Sequence, residues 1–343
     1  MTDESNSTIE WLEDRLSTPA AGDVDAARDL DGGLLILGAG GKMGPTLAML
    51  AAKARQQAGL NFPIVAVSSF SNSSLRDHLH RFDIKTIPCD LLQPGAVDTL
   101  PDLPNVLYMV GRKFGSSGAE WNTWATNVYV AGRVAERFRH ARIAAFSSGN
   151  VYPLVPVDSG GANESTPPAP VGEYAMSALG RERMFDFASH AYGTKVVHLR
   201  LNYAVEPRYG VLLDIAMQVW QGLPIDLAMG HVNVVWQGYA NSVALRSFAL
   251  AASPPAILNI AGPEILAVRD VATAFGRCFD KEPLFMNEEA PTALLSDASL
   301  CHRLYGKPSV TADAAIGLIA DWIAAGGSTL GKPTHFQVRN GNF

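Results

Sequence analysis

The feature that most limits the fold is a glycine turn between a short apolar run and an alanine-rich segment. Residues 33–44 read GLLILGAGGKMG, with Gly38, Gly41 and Gly44 three residues apart. The run 33–37 has the length and composition of a parallel strand buried on both faces. The segment 43–57 is rich in Ala, Leu and Met and predicts a helix. Glycines let the backbone turn sharply and approach a ligand. The free N–H groups at the start of the helix then favour an anion. Strand, glycine turn and helix in this order predict a site for the diphosphate of a dinucleotide, with Gly38, Gly41, Lys42, Met43 and Gly44 as its residues.

The same alternation continues downstream. Apolar runs at 62–67, 83–88, 105–110, 142–147 and 194–202 predict strands. Segments 74–81, 121–140 and 173–192 between them predict helices. This pattern implies an α/β, Rossmann-type, doubly wound parallel sheet with helices on both faces. The alternation loosens after Asn202, where Pro, Gly and aromatic residues become frequent. A further sheet strand is expected at 256–262, and helices at 267–279 and 312–325. The expected organisation is an N-terminal extension (1–32), a dinucleotide-binding domain (33–203, plus the late strand), an interleaved smaller C-terminal substrate lobe (204–330) and a tail (331–343). Within the extension, Ser7 to Glu10 has the form of a capping box before a short amphipathic helix, and 19–31 reads as a linker. That helix either docks on the body or meets another subunit.

The second strand normally ends in an acid that bonds the ribose 2′-hydroxyl. Here it ends in Ser68 and Ser69, with Lys42 in the glycine turn and Arg76 a few residues on. Hydroxyls and cations suit a 2′-phosphate, so the pattern favours NADP over NAD; the plain alternative for Arg76 is a solvated helix residue. Asp90 and Leu91 follow the third strand, where the carboxylate either meets adenine or caps the turn before Pro94.

Composition excludes several classes. The net charge of −6 argues against a nucleic-acid surface or an anionic-membrane patch. No apolar run approaches the ~20 residues of a membrane span. The acidic, polar N-terminus lacks the form of a signal peptide, and three scattered cysteines suit a reducing compartment, so a soluble cytoplasmic protein is expected. The eight histidines do not cluster, and no metal site is expected.

With GAGGKMG, Asp90-Leu91, Asn127-Val128, FSSGNVY (146–152), GEYAMSA (172–178) and the later stretches 259–272 and 296–310 in order, the chain resembles the extended short-chain dehydrogenase/reductase family, the NAD-dependent epimerase/dehydratase group. The resemblance spans about 33–322. It implies an NAD(P)-dependent oxidoreductase or epimerase. Tyr174 is then the acid/base, and Ser148 bonds the same substrate oxygen, with Asn127 as a supporting polar residue. It also implies pairing of two copies through the helices near 119–140 and 173–192.

Three departures bear on the chemistry. The family lysine four residues after the tyrosine is Ala178 here. A tyrosine needs a nearby positive charge to act as a base near neutral pH. The run Val110-Gly111-Arg112-Lys113 follows the fourth strand and resembles the GLK segment of UDP-galactose 4-epimerase, so Lys113 is the expected substitute beside the cofactor. Arg183 points away from Tyr174, and Arg181 lies on its face but two turns on. Second, Gly149-Asn150 stands where dehydratases carry an Asp-Glu pair, which argues against water elimination.

Third, Tyr203 replaces the asparagine that follows the sixth strand in nucleotide-sugar enzymes, and no arginine precedes Asp297 in the segment from 290. Both changes favour a free sugar or sugar acid over a nucleotide sugar. Asn150, Asn202, Tyr203, Arg208, Trp236 and Gln237 are the expected substrate contacts, with Arg208 available to an anion; the plain alternative for Trp236 is packing within the lobe. Two alternatives stay open: a nucleotide-sugar 4-epimerase, and a dinucleotide-binding sensor or scaffold without catalysis.

Overall fold

A computed structural model describes residues 8–71, 73–113 and 118–341. Seven parallel strands form its central sheet: β1 (Leu34–Leu37), β2 (Ile64–Ser68), β3 (Lys85–Pro88), β4 (Asn105–Tyr108), β5 (Arg142–Ser148), β6 (Lys195–Leu201) and β7 (Ala256–Ile260). Their order across the sheet is β7-β6-β5-β4-β1-β2-β3. The order reverses between β1 and β4, and a crevice opens there at the carboxyl ends of the strands. The apolar run of β1 is explained by its position. Leu34 and Ile36 enter the core on one face, Leu35 and Leu37 the core on the other, and none is exposed.

Helix α3 (Gly44–Gln57) follows β1, and α4 (Ser73–His80) follows β2. The long helix expected after β4 is built in three pieces: α5 (Glu120–Trp124), a π-turn (Ala125–Tyr129) and α6 (Val130–Arg137). Such turns recur at functional sites, and this one carries Asn127. Helix α7 (Gly172–Tyr192) brings Tyr174 in on its first turn. A buried ion pair ties α7 to the sheet: Arg200 donates from Nε and Nη2 to Glu182 at 2.9 and 2.7 Å, and Ser147 donates to the same carboxylate. Burial raises the Glu182 pKa, but these bonds outweigh it and hold the carboxyl below its ordinary range.

Helices α8 (Val211–Gln221), α9 (Gln237–Arg246), α10 (Val268–Phe279), α11 (Ser299–Tyr305) and α12 (Ala312–Ala324) complete the chain. Val211, Ile215, Phe275, Ile319 and Trp322 share a second apolar core with Leu12 and Leu16 of the N-terminal segment.

One chain end differs from expectation. The N-terminal segment forms two helices, α1 (Ile9–Ser17) and α2 (Ala21–Arg28), so the stretch read as a linker is largely helical. Pro19 and Gly22 dominated the sequence pattern, but Ala27 and Leu30 are buried against the α3 side of the sheet. Thr8 caps α1 by accepting from the Trp11 N–H; Ser7 lies outside the described residues. At the other end, 328–341 is held across the molecule. Thr334 bonds Asp214, Phe336 is buried in the second core, and Arg339 Nη1 donates to the Ala228 and Thr292 carbonyls. Gly341 sits so close to Gly172 that a Cβ on it would stand 2.3 Å from the Val171 oxygen.

Candidate active site

The glycine turn has the shape a diphosphate requires. Gly38 has φ +87°, and a Cβ there would stand 2.9 Å from the Met109 carbonyl carbon. A Cβ on Gly44 would stand 2.4 Å from the Ala39 oxygen. Backbone and helix start therefore approach one cavity of about 320 Å³, lined by Gly38, Gly41, Lys42, Met43, Gly44, Gly111, Lys113, Tyr174 and Arg181. The buried Arg181 Nε has no hydrogen-bond partner in this wall. A cradle that excludes side chains and an unused cationic donor fit a dinucleotide.

A neighbouring cavity of about 300 Å³ holds the expected adenosine residues: Ser68, Ser69, Asp90, Leu91 and Val110, with Arg112. Asp90 accepts from the Leu92 N–H and the Gln93 amide, so it caps its turn while facing this space. Neither expected cation joins the serines. Arg76 Nε bonds the Thr86 hydroxyl across to β3. Lys42 points the other way, its Nζ 3.2 Å from the centre of the Tyr209 ring.

Ser148 and Tyr174, the pair expected to be catalytic, meet in a third cavity of about 170 Å³. Ser148, Asn150, Tyr174, Asn202, Tyr203, Tyr209, Gln237, Lys42, Lys113 and Thr334 line it. Lys113 Nζ donates to the Thr334 carbonyl at 3.1 Å and lies 5.9 Å from the centre of the Tyr174 ring. Burial lowers its pKa to about 8, against the pull of Asp214. Burial lowers Lys42 to about 7, with Lys113 and Lys332 repelling it. Burial raises the Asp214 carboxyl, although the Thr334 bonds oppose this. The Tyr203 and Tyr209 phenols are also raised by burial.

Asn127 acts from behind this wall. It is fully buried, accepts from the Arg112 N–H at 2.7 Å, and donates to the Arg112 carbonyl and the Ser177 hydroxyl. It ties the Val110–Lys113 loop to α7.

Several expected substrate contacts lie elsewhere. Arg208 faces Glu206 and Glu13, at 3.0 and 3.5 Å, so its charge is already matched. Trp236 is buried in the second core, where an apolar ring is better placed than at a wet surface. Gln237 does line the cavity, but its amide donates to Thr46. Asn202 also lines it while donating to Asn233 Oδ1 at 2.7 Å. Asn233, Asp214, Tyr209, Lys332 and Thr334 were missed by sequence reasoning; only the polar character of 331–335 offered a signal. Phe114 and Gly115 of the GRKFG run fall outside the described residues. Among the described residues no three His, Cys, Asp or Glu side chains form a metal site, and no helix is long and apolar enough to cross a membrane.

A doubly wound sheet with a glycine-turn cradle and a Ser–Tyr pair at its carboxyl edge defines a nucleotide-dependent short-chain oxidoreductase type of site. The family model "NAD dependent epimerase/dehydratase family" matches residues 34–224, over half of the chain, and the protein belongs to that family. It is an NAD(P)-dependent oxidoreductase or epimerase of the extended short-chain type. A comparison with curated protein sequences gives no match.

Among solved structures, a UDP-glucuronic acid 4-epimerase mutant from Bacillus cereus, with NAD and a fluorinated UDP-sugar, is similar. Its TM-score is 0.71 at 17% identity, over 85% of this chain and 99% of that one. The Thermus thermophilus UDP-glucose 4-epimerase with NAD gives 0.68 at 18%, over 85% and 99%. An epimerase from Methanothermobacter thermautotrophicus gives 0.72 at 16%, over 89% and 96%. At these identities the likeness is one of fold.

Proposed function

We propose that the protein oxidises or epimerises a hydroxyl-bearing carbon of a sugar substrate, with NAD as cofactor. The observation that carries this is the meeting of Ser148, Tyr174 and Lys113 in one cavity that adjoins the glycine cradle. Bound in the cradle, NAD supplies a hydride acceptor and donor. Tyr174 moves the proton at the substrate oxygen, and Ser148 bonds that oxygen and keeps it in line. Lys113, protonated below about pH 8, puts positive charge beside the tyrosine ring. NAD rather than NADP is favoured because Lys42 and Arg76 both turn away from Ser68 and Ser69.

Several of the similar solved structures hold UDP-sugars, which favours a nucleotide sugar and 4-epimerisation as the first substrate class to test. A free sugar or sugar acid has its own support: about 170 Å³ beside Tyr174 is below the ~300–1,000 Å³ of ordinary ligand pockets, and Thr334 closes one side. The deciding experiment loads the protein with NAD and offers UDP-glucose, UDP-glucuronate and the free sugars, with product stereochemistry read by NMR. Turnover of any of them supports hydride transfer; binding of NAD with no turnover across the panel returns the sensor reading. A homodimer is also proposed, because Trp121 and Tyr129 are 74% and 59% exposed on the face formed by α5, the π-turn and α6. Light scattering giving a monomer would refute it.

A further inference from the structure

Ala178 cannot do what a cation would do at its position, and it is buried against Val151, Tyr152 and Ala162. Arg181 stands seven residues after Tyr174, nearly two full turns along α7, so both side chains leave the helix on one side. Its guanidinium lines the same cavity as Gly38, Gly41, Gly111 and Tyr174. The residue is 5% exposed. Nη1 donates to the Val110 carbonyl at 2.7 Å, and Nε is buried without a partner.

Among the described residues no carboxylate pairs with Arg181. A buried cation with an unused donor is costly unless a ligand completes it. The loop opposite is shaped around it: a Cβ on Gly111 would stand 2.8 Å from Arg181 Nη1.

We propose that Arg181 is a cofactor-binding residue that donates hydrogen bonds to the nicotinamide half of the dinucleotide; this rests on the dinucleotide-dependent reading above. Lys113 then serves Tyr174, and Arg181 serves the cofactor. The carbonyl of Val110 holds the guanidinium in place, and the residue lines the cavity. The adenosine residues lie in the neighbouring cavity, which Arg181 does not line.

Calorimetry on the full chain tests this with two ligands, NAD and ADP, which share the adenosine diphosphate half. Arg181→Met is expected to weaken NAD at least tenfold and to leave ADP within twofold. Unchanged NAD affinity overturns the proposal. Equal weakening of NAD and ADP also overturns it, since that marks a structural or general charge role. If Arg181→Met has no cooperative thermal transition, Arg181→Gln, which keeps a donor toward Val110 without the charge, is read by the same criteria. A wild-type chain that binds neither ligand refutes the functional reading itself, whereas normal wild-type binding with an indifferent variant refutes only the role of Arg181.

Discussion

The ends of the crevice proposed for adenosine and for nicotinamide are built in different ways. The adenosine end is made of Gly38 and the loops that follow β2, β3 and β4, with the small residues Ser68 and Ser69 and with Asp90 bonded within its own turn, and it is backed by Asn122, Thr126 and Val130. The nicotinamide end draws on β5, α7, α8, α9 and the C-terminal segment, and it gathers the half-buried Lys42 and Lys113 near Asp214. One end needs little beyond backbone shape. The other concentrates costly charge, and perturbed groups of this kind gather where chemistry is done.

The contrast gives a graded set of expectations. The largest effect belongs to Tyr174→Phe, which should lower kcat by about 10²–10⁴ with NAD affinity unchanged; comparable kcat in single-turnover assays would remove Tyr174 from the acid/base role. Ser148→Ala should cost about 10² in kcat by losing one donor to the reacting oxygen. Kinetics showing only a KM change would make Ser148 a ground-state contact.

Lys113 sets the pH dependence. Activity that needs its ammonium should fall as pH rises through about 8. Lys113→Arg should move that limb up by more than a unit, because arginine keeps its proton. The linkage sign is opposite for stability. The folded pKa lies below the ordinary lysine value of 10.5, so the unfolded chain binds more protons between about pH 8 and 10.5. Stability therefore gains from this group as pH rises through that window and loses the gain as pH falls. Thermal unfolding across pH 7–10 checks this.

A smaller effect is expected from Asp214→Asn, which weakens the grip on Thr334 at 2.7 and 2.6 Å. Loosening 328–341 should raise KM about fivefold for a free sugar by removing a wall. For a nucleotide sugar it should lower KM by widening the groove, so the direction selects the substrate class. The smallest effect lies at the other end. Ser68→Asp should change NAD affinity by a factor of a few while rejecting NADP, and equal rejection of both by calorimetry would place the ribose away from Ser68.

Much of this was legible in the sequence because its signals are local. The glycine spacing, each of the seven apolar runs, and the FSSGNVY and GEYAMSA segments each lie within a few residues, and the strands and α7 form where those signals stand. The helix after β4 was expected in one piece, but the π-turn at Asn127 depends on bonds to Arg112 and Ser177, which no local pattern encodes. Arg208 and Trp236 were read as substrate contacts from residue type alone. Arg208 is matched first by Glu206 two residues away and then by the distant Glu13, and Trp236 is covered by the second core, which is built from distant segments. Lys113 was found through its loop, but its contact with Thr334 was not foreseeable.

That contact has a consequence for how the molecule comes together in time. Lys113 and Thr334 are separated by 221 positions, Gln237 and Thr46 by 191, and Thr334 and Asp214 by 120. Pairings of such long range form slowly, since the chain must be ordered over a wide span before they reward it. During refolding the sheet should regain its circular dichroism first, and the closed cavity beside Tyr174 last. A lesion in 328–341 would therefore delay the arrival of a working enzyme far more than it lowers the melting temperature of the finished one.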